Sequence, residues 1–223
     1  MNRGTARYPL LEIDLDKLKA NLAALIERCQ SLSVEVAGVV KGFTALPEVA
    51  RVYTECGIRS IASSRLGQLR ALRDAGVGGE RVLIRIPMFS ELPEVAEVAD
   101  MSLQSELETL RALNAECARR GKRHKVLLML DLGDLREGFW SREELVDAAL
   151  EVEYRLDRLE LAGIGTNLGC YGSVAATPEK LRELVSAAEA VERAIGRELQ
   201  YISGGASTSV HMVLDGTLPA RVN

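Results

Sequence analysis

The sequence predicts an α/β fold, a (β/α)8 TIM-type barrel read as one domain over residues 1–223 that stops near the start of its eighth strand. Three observations carry this. Short β-branched runs alternate with amphipathic helices along the chain, and that rhythm gives parallel strands joined by crossover helices. No G-x-G-x-x-G follows the first strong strand, so an open dinucleotide-binding sheet lacks its fingerprint. Seven strands are legible, and Ala220, Arg221, Val222 and Asn223 stand where the eighth of a closed barrel would begin.

The elements follow in order. Asp14 suits the N-cap of a first helix, because Leu15, Leu18, Leu22, Leu25, Ile26 and Cys29 recur on one face at helical spacing. Strands are expected over 36–40, 60–62, 82–86, 101–103, 126–130, 161–165 and 201–203. Between them, Pro47 marks a first turn, Ser63 or Ser64 precedes the Leu66, Leu69 and Leu72 stripe, Ser141 precedes Glu143 and Glu144, and Thr177 precedes Pro178. No low-complexity linker or fixed-period repeat interrupts the series.

A net charge of −4, with basic and acidic residues interleaved, offers no basic field for nucleic acid or an anionic membrane. The start has no signal-peptide core, and no later run approaches the length of a membrane span, so the expectation is a cytoplasmic protein. Cys29, Cys56, Cys117 and Cys170 lack C-x-x-C spacing and are read as reduced, without a metal site.

Alternate residues of a barrel strand point inward, so Lys41 shares the parity of Ala37 and Val39 and faces the interior at the C-terminal rim. Barrel enzymes place their chemistry at that rim. A lysine partly desolvated there presents a neutral amine that can form a Schiff base with an aldehyde. The plainer alternative is a lysine that snorkels into solvent. After the seventh strand, Ser203, Gly204, Gly205, Ala206, Ser207 and Thr208 form a small-residue loop with a helix start beyond it. Such a loop cradles a phosphate through backbone N–H groups, although a Ser/Gly loop alone is also an ordinary turn.

Three segments, 39–42 (VVKG), 131–138 (DLGDLREG) and 166–172 (TNLGCYG), resemble in order and spacing the alanine-racemase-like family of fold-type III pyridoxal-phosphate enzymes, and most nearly its ornithine racemase branch. The resemblance covers essentially the whole chain, with the second and third segments the distinctive ones. It implies pyridoxal 5'-phosphate as cofactor, with Lys41 as its Schiff-base lysine, Arg136 near its phenolic oxygen, Asn167 beside its ring and Ser203 to Thr208 at its phosphate. Asn167 stands where alanine racemases carry a histidine, and an amide can orient a ring but cannot titrate. For Arg136 the plainer alternative is a surface ion pair with Asp134 or Glu137. Cys170 and Tyr171 follow on the same loop and are candidate catalytic groups, against a buried thiol and a packed ring.

The activity implied is an isomerase that interconverts the L and D enantiomers of ornithine or a similar amino acid by Cα deprotonation. The alternatives are a pyridoxal-phosphate-binding homeostasis protein without turnover, and a barrel aldolase that uses Lys41 on its own substrate. The family's habit of dimerising implies a homodimer. Its C-terminal β domain and the residues that follow the eighth strand have no counterpart here, so this chain is expected to be weakly active or inactive. Glu137 and Asp131 are conceivable partners for a distal substrate ammonium. His124, at the start of the fifth strand, is expected to be structural, and Trp140 a lid or packing residue. His211 carries no part of the mechanism.

Overall fold

The computed structural model describes residues 9–170, 172 and 174–223. Seven parallel strands pair in chain order: β1 (Ala37–Val39), β2 (Ser60–Ser63), β3 (Glu80–Leu83), β4 (Met101–Gln104), β5 (His124–Met129), β6 (Leu159–Gly165) and β7 (Tyr201–Ser203). They curl into a half-barrel. Among the described residues, β1 pairs only with β2 and β7 only with β6. Beside the open edge of β7, the Ile202 N–H donates to Asn223 Oδ1 at 2.8 Å, and the Asn223 N–H donates to the Ile202 carbonyl at 3.3 Å. The expected eighth strand is therefore represented only by this contact.

Eight helices cover the outer face among the described residues: α1 (Leu15–Gln30), α2 (Pro47–Glu55), α3 (Leu66–Asp74), α4 (Leu92–Val98), α5 (Leu107–Arg120), α6 (Arg142–Arg155), α7 (Pro178–Ile195) and α8 (Val210–Asp215). Three of the expected caps form. Asp14 accepts from the Lys17 N–H, Thr177 accepts from the Lys180 N–H, and Ser141 and Glu144 make a reciprocal capping box. The start of α3 differs from expectation: its cap is Arg65, while the Ser63 hydroxyl accepts from the Arg65 N–H and donates to Gln68 Oε1. Strand β3 starts two residues earlier than expected, because Glu80 and Arg81 pair with Ser60 and Ile61, and ends three residues earlier, at Leu83.

Two apolar layers hold the fold. Outward-facing strand residues such as Leu83, Val126, Leu128 and Ile164 pack against Leu110, Leu113, Leu145, Leu181 and Leu184 of the helices. Burying each such side chain contributes about 1.5–3 kcal/mol. The inward layer is Ala62, Val82, Met101, Leu103, Leu127, Met129 and Ala162. Below it, Lys125 Nζ lies 3.0 Å from Glu80 Oε1, and the Ser60 hydroxyl donates to Glu80 Oε2 at 3.3 Å, which gives the N-terminal end of the interior a polar floor.

His124 begins β5 on the outward side and is 2% exposed. Its Nε2 lies 2.8 Å from the Ser102 hydroxyl, which also accepts from the Gln104 amide at 2.9 Å. This is the structural role expected of it. Burial pushes its pKa down from 6.5 to about 4. The unfolded chain therefore binds a proton that the folded chain refuses, so this contribution to stability is complete above the unfolded pKa and is lost as pH falls from about 6.5 toward 4. Denaturant unfolding at about pH 7 and pH 5 should show the wild type losing about 2 kcal/mol more than His124→Gln. An equal loss in both would remove His124 from the pH response.

Candidate active site

The candidate side chains stand on the segments that follow the C-terminal ends of the strands. Just beyond β1, Val40 is buried in the cluster under the helices with a helical backbone (φ −102°, ψ −3°), and Lys41 opens a short 3-10 turn, Lys41–Phe43, so the strand alternation expected to carry it inward ends at Val39. The chain then turns sharply through Thr44 and Ala45, both in the left-handed region at φ +57° and +56°, and the Ala45 N–H returns to the Val40 carbonyl. The Lys41 amine has no hydrogen bond or ion pair among the described residues. The desolvation expected of it is not found: Lys41 is exposed and Val39 is 42% exposed, and among the described residues β1 has a strand on one side only.

On β6 the register with β5 shifts, with Val126 opposite Leu161 and Leu127 opposite Gly163. Ala162 is the extra residue of this bulge. Leu159 and Leu161 face the helices before it, and Ile164 and Leu168 do so after it. Asn167 therefore faces inward, although it has the same odd numbering as the outward-facing Leu161.

The loop after β5 supplies the rest. It closes on itself through the Phe139 N–H to Met129 O (2.8 Å) and the Asp131 N–H to Phe139 O (3.1 Å). Gly138 is required there: its φ is +139°, and a Cβ would lie 2.2 Å from the Asp131 nitrogen. Asp131 Oδ1 accepts from the N–H groups of Gly133 and Leu135, a carboxylate turn that folds the loop locally. Asp134 is buried and reaches the loop after β6, where its two oxygens accept from the Gly169 and Cys170 N–H groups, each at 3.1 Å.

Arg136 and Asn167 meet at Glu137. The Arg136 Nε donates to Glu137 Oε2 at 3.1 Å, and the Asn167 amide donates to Glu137 Oε1. The Glu137 side chain is 8% exposed, so the Arg136 ion pair exists but is not a surface pair. Arg136 Nη1 also donates to the Cys170 sulfur. Burial works against the Arg136 charge, yet its bonds to Cys170 and Glu137 outweigh that and hold its pKa above the ordinary value. Cys170 is exposed rather than a buried thiol. Tyr171 lies outside the described residues.

In the loop after β7, Ser203 faces inward and Gly204 faces α7, where a Cβ would lie 2.7 Å from Leu181 Cδ2. Gly205 has open space around it. The buried Ser209 hydroxyl ties the loop by bonding both polar atoms of the Ala206 backbone. The Ser207 and Thr208 N–H groups make no hydrogen bond among the described residues, whereas the Thr208 hydroxyl is committed to the Leu168 carbonyl at 2.8 Å. α8 begins beyond Ser209, as expected of this loop.

The structure thus joins Arg136, Asn167 and Cys170 in one contact network and places Lys41 and the 203–208 loop on the same rim. Trp140 is 73% exposed and packs as no lid. His211 is exposed, with Nδ1 3.0 Å from the Thr208 carbonyl. A cavity of about 560 Å³ lined by Arg123, Glu153, Leu159 and Arg197 lies at the opposite, N-terminal end of β6. Sequence reasoning missed the cross-ties made by Asp134, Glu137 and Thr208. The one available signal was the glycine pair, Gly133 and Gly138, bracketing a run with two acids.

Asp134→Ala should cost about 3 kcal/mol, because two N–H donors lose a buried carboxylate partner. Amide exchange at Gly169 and Cys170 should quicken with it. Unfolding and exchange both unchanged from wild type would show that Asp134 does not hold the loop.

Residues 13–217 match the family described as alanine racemase, N-terminal domain. An ornithine racemase of Acetoanaerobium sticklandii is 36% identical over 96% of this chain and 60% of its own length. A lysine racemase of Thermotoga maritima is 31% identical over 97% of this chain and 60% of its own. Among solved structures, D-threonine aldolase from Filomicrobium marinum superposes with a TM-score of 0.79 at 20% identity, covering 96% of this chain and 60% of that one. An alanine racemase of Clostridium difficile 630 superposes with a TM-score of 0.71 at 18% identity, covering 86% and 52%. These two likenesses concern the fold alone. The chain spans about 60% of the length of the curated racemases it matches most fully.

Proposed function

The chain belongs to the alanine racemase N-terminal domain family, and from that premise we propose that it carries the barrel site of a pyridoxal-phosphate-dependent amino-acid racemase acting on ornithine or a similar basic amino acid. One observation supports this reading most: a lysine amine without a partner among the described residues shares a rim with a half-buried arginine and a loop in which the Ser207 and Thr208 N–H groups are unused. That donor set, an amine, a guanidinium and backbone N–H groups, matches the chemistry of an aldehyde, a phenolic oxygen and a phosphate. The relatives named ornithine and lysine racemase support a diamino-acid substrate.

Pyridoxal phosphate, when bound, supplies an aldehyde and a ring that accepts the electron pair left at Cα when its proton leaves. Lys41 holds the group through its amine and moves the Cα proton on one face. Arg136 donates to an oxygen anion, and Asn167 orients without titrating. Ser203, Gly204, Gly205, Ala206, Ser207 and Thr208 hold the phosphate, chiefly through the N–H groups of Ser207 and Thr208. Cys170, whose sulfur already accepts from Arg136, serves the opposite face together with Tyr171. Of the two acids expected near a distal ammonium, Glu137 has both oxygens engaged, and Asp131 keeps one oxygen without a partner among the described residues. A homodimer in solution is part of the same proposal. No helix among the described residues is long and apolar enough to cross a membrane.

The test is the visible absorption of the purified chain with added pyridoxal phosphate, repeated on Lys41→Ala, followed by proton NMR of D- and L-ornithine in deuterated buffer. A lysine-dependent band is expected, with slow loss of the Cα proton signal, as befits a weakly active chain. A band without exchange would favour a cofactor-binding protein without turnover, and no band in the wild type would sink the reading.

A further inference from the structure

The contact between the β5 and β6 loops carries more than the reading above needs. Glu137 is a carboxylate in the wall of the site, and neither of its oxygens faces the interior unpaired: Oε2 accepts from Arg136 Nε and Oε1 from Asn167 Nδ2. The backbone fixes where it stands. Gly138, which no residue with a Cβ could replace without displacing Asp131, closes the loop immediately after it, and two backbone hydrogen bonds pin Phe139 beside β5. Asn167 is equally fixed, since the Ala162 bulge turns it inward and the Thr166 N–H bonds the Ser203 carbonyl at 2.9 Å.

A carboxylate removes the usual ambiguity of an asparagine amide. Only the NH2 end can face an ionised acid, because the carbonyl end would set two acceptors against each other. The Asn167 oxygen is therefore turned away from Glu137. The same logic applies to Arg136, whose Nε faces Glu137 and whose Nη1 faces Cys170, so that Nη2 has no partner among the described residues. The carboxylate also offsets the guanidinium charge at a distance where the two interact strongly.

Resting on the reading of the site as a pyridoxal-phosphate site, we propose that Glu137 is its positioning residue: it turns Asn167 so that an acceptor faces the barrel interior, directs Arg136 so that one guanidinium nitrogen is left for an anionic oxygen of the ligand, and offsets the charge of that arginine. Arg136 then acts as a directed hydrogen-bond donor more than as a net cation. Without Glu137 the amide is free to flip, and the guanidinium carries its full charge into the site.

Two measurements on Glu137→Gln test this. In the cofactor-free protein, the NMR resonances of the Asn167 side-chain amide and the Arg136 Nε–H are expected downfield and protected from exchange in the wild type, and shifted upfield and exchanging freely in the variant. With saturating pyridoxal phosphate, the pH midpoint of the visible band is expected to fall by about one unit in the variant, because an uncompensated cation favours the anionic form of the chromophore. A role in folding alone would lower the melting temperature and move neither readout. Resonances and midpoint both unchanged overturn the proposal. Should Glu137→Gln fail to fold, Glu137→Asp keeps the charge but is too short to span both partners, and loss of one protected resonance with retention of the other is expected. Retention of both would again overturn the proposal. A wild type that takes up no cofactor sinks the racemase reading, while the resonances of the cofactor-free protein still decide whether Glu137 orients its two neighbours.

Discussion

One extra residue in the sixth strand sets the phase of the mouth. Ahead of Ala162, the odd-numbered residues of β6 face the helices, and behind it the even-numbered ones do. Without that bulge Asn167 would follow Leu161 outward into the apolar layer. The inner wall it leaves is bare. A Cβ on Gly163 would lie 2.0 Å from the Tyr201 carbonyl, so β6 and β7 approach there only because the position carries no side chain, and one on Gly165 would sit tightly, 3.1 Å from the Ser203 carbonyl. Asn167 is then the first side chain that β6 presents inward beyond the apolar layer, at the level of the rim.

The rim loops are irregular, and such segments move unless something ties them down. Here the ties run from strand to strand. Asp134 of the β5 loop holds the N–H groups of Gly169 and Cys170, Glu137 holds Asn167, and the Thr208 hydroxyl of the β7 loop holds the Leu168 carbonyl. Three consecutive loops are joined through the one that carries Asn167. Asp134 meets backbone donors on the β6 loop, and Glu137 one cation and one amide, so each oxygen of these two carboxylates has a donor.

How much of this could be read beforehand follows from which signals are local. The caps at Asp14, Ser141 and Thr177 depend on a few adjacent residues and were legible. α4 and α5 lack a side-chain cap, and the one local start signal of α4, Pro93 in its first turn, went unread. The rim position of Lys41 at the end of β1 was legible, but its parity was not, because strand alternation stops at Val39 and the lysine opens a 3-10 turn. The facing of Asn167 was not, because a bulge is a relation between two strands that one strand's pattern does not encode. The contacts of Asp134 and Glu137 span some thirty residues, and no periodicity reaches that far. The solvent exposure of Lys41 was missed because its desolvation was inferred from a rim position alone, although the eighth strand that would stand beside β1 was itself expected to be incomplete.

That exposure makes the anchoring of Lys41 different in kind from that of Arg136 and Asn167. β5 and β6 each have two neighbouring strands and stand on the larger apolar cluster. β1 is three residues long, has one neighbouring strand among the described residues, and stands on a smaller cluster of Ile26, Val40, Ala45, Ala50, Ile58, Ile61, Leu72 and Val77. What fixes the lysine turn is an aromatic contact from α2. The Tyr53 ring packs edge-on to Phe43, two residues beyond Lys41, with centroids 5.7 Å apart. It also lies so close to Gly38 that a Cβ there would come within 2.4 Å of it. The strand before the lysine and the turn after it are thus held by the same ring, so the position of the amine depends on how α2 seats against β1. Few buried contacts and a single strand partner put such a segment at the low end of local stability. The half of the site that would bond the ligand covalently is accordingly the more easily displaced, and the half that would orient it is the more rigid.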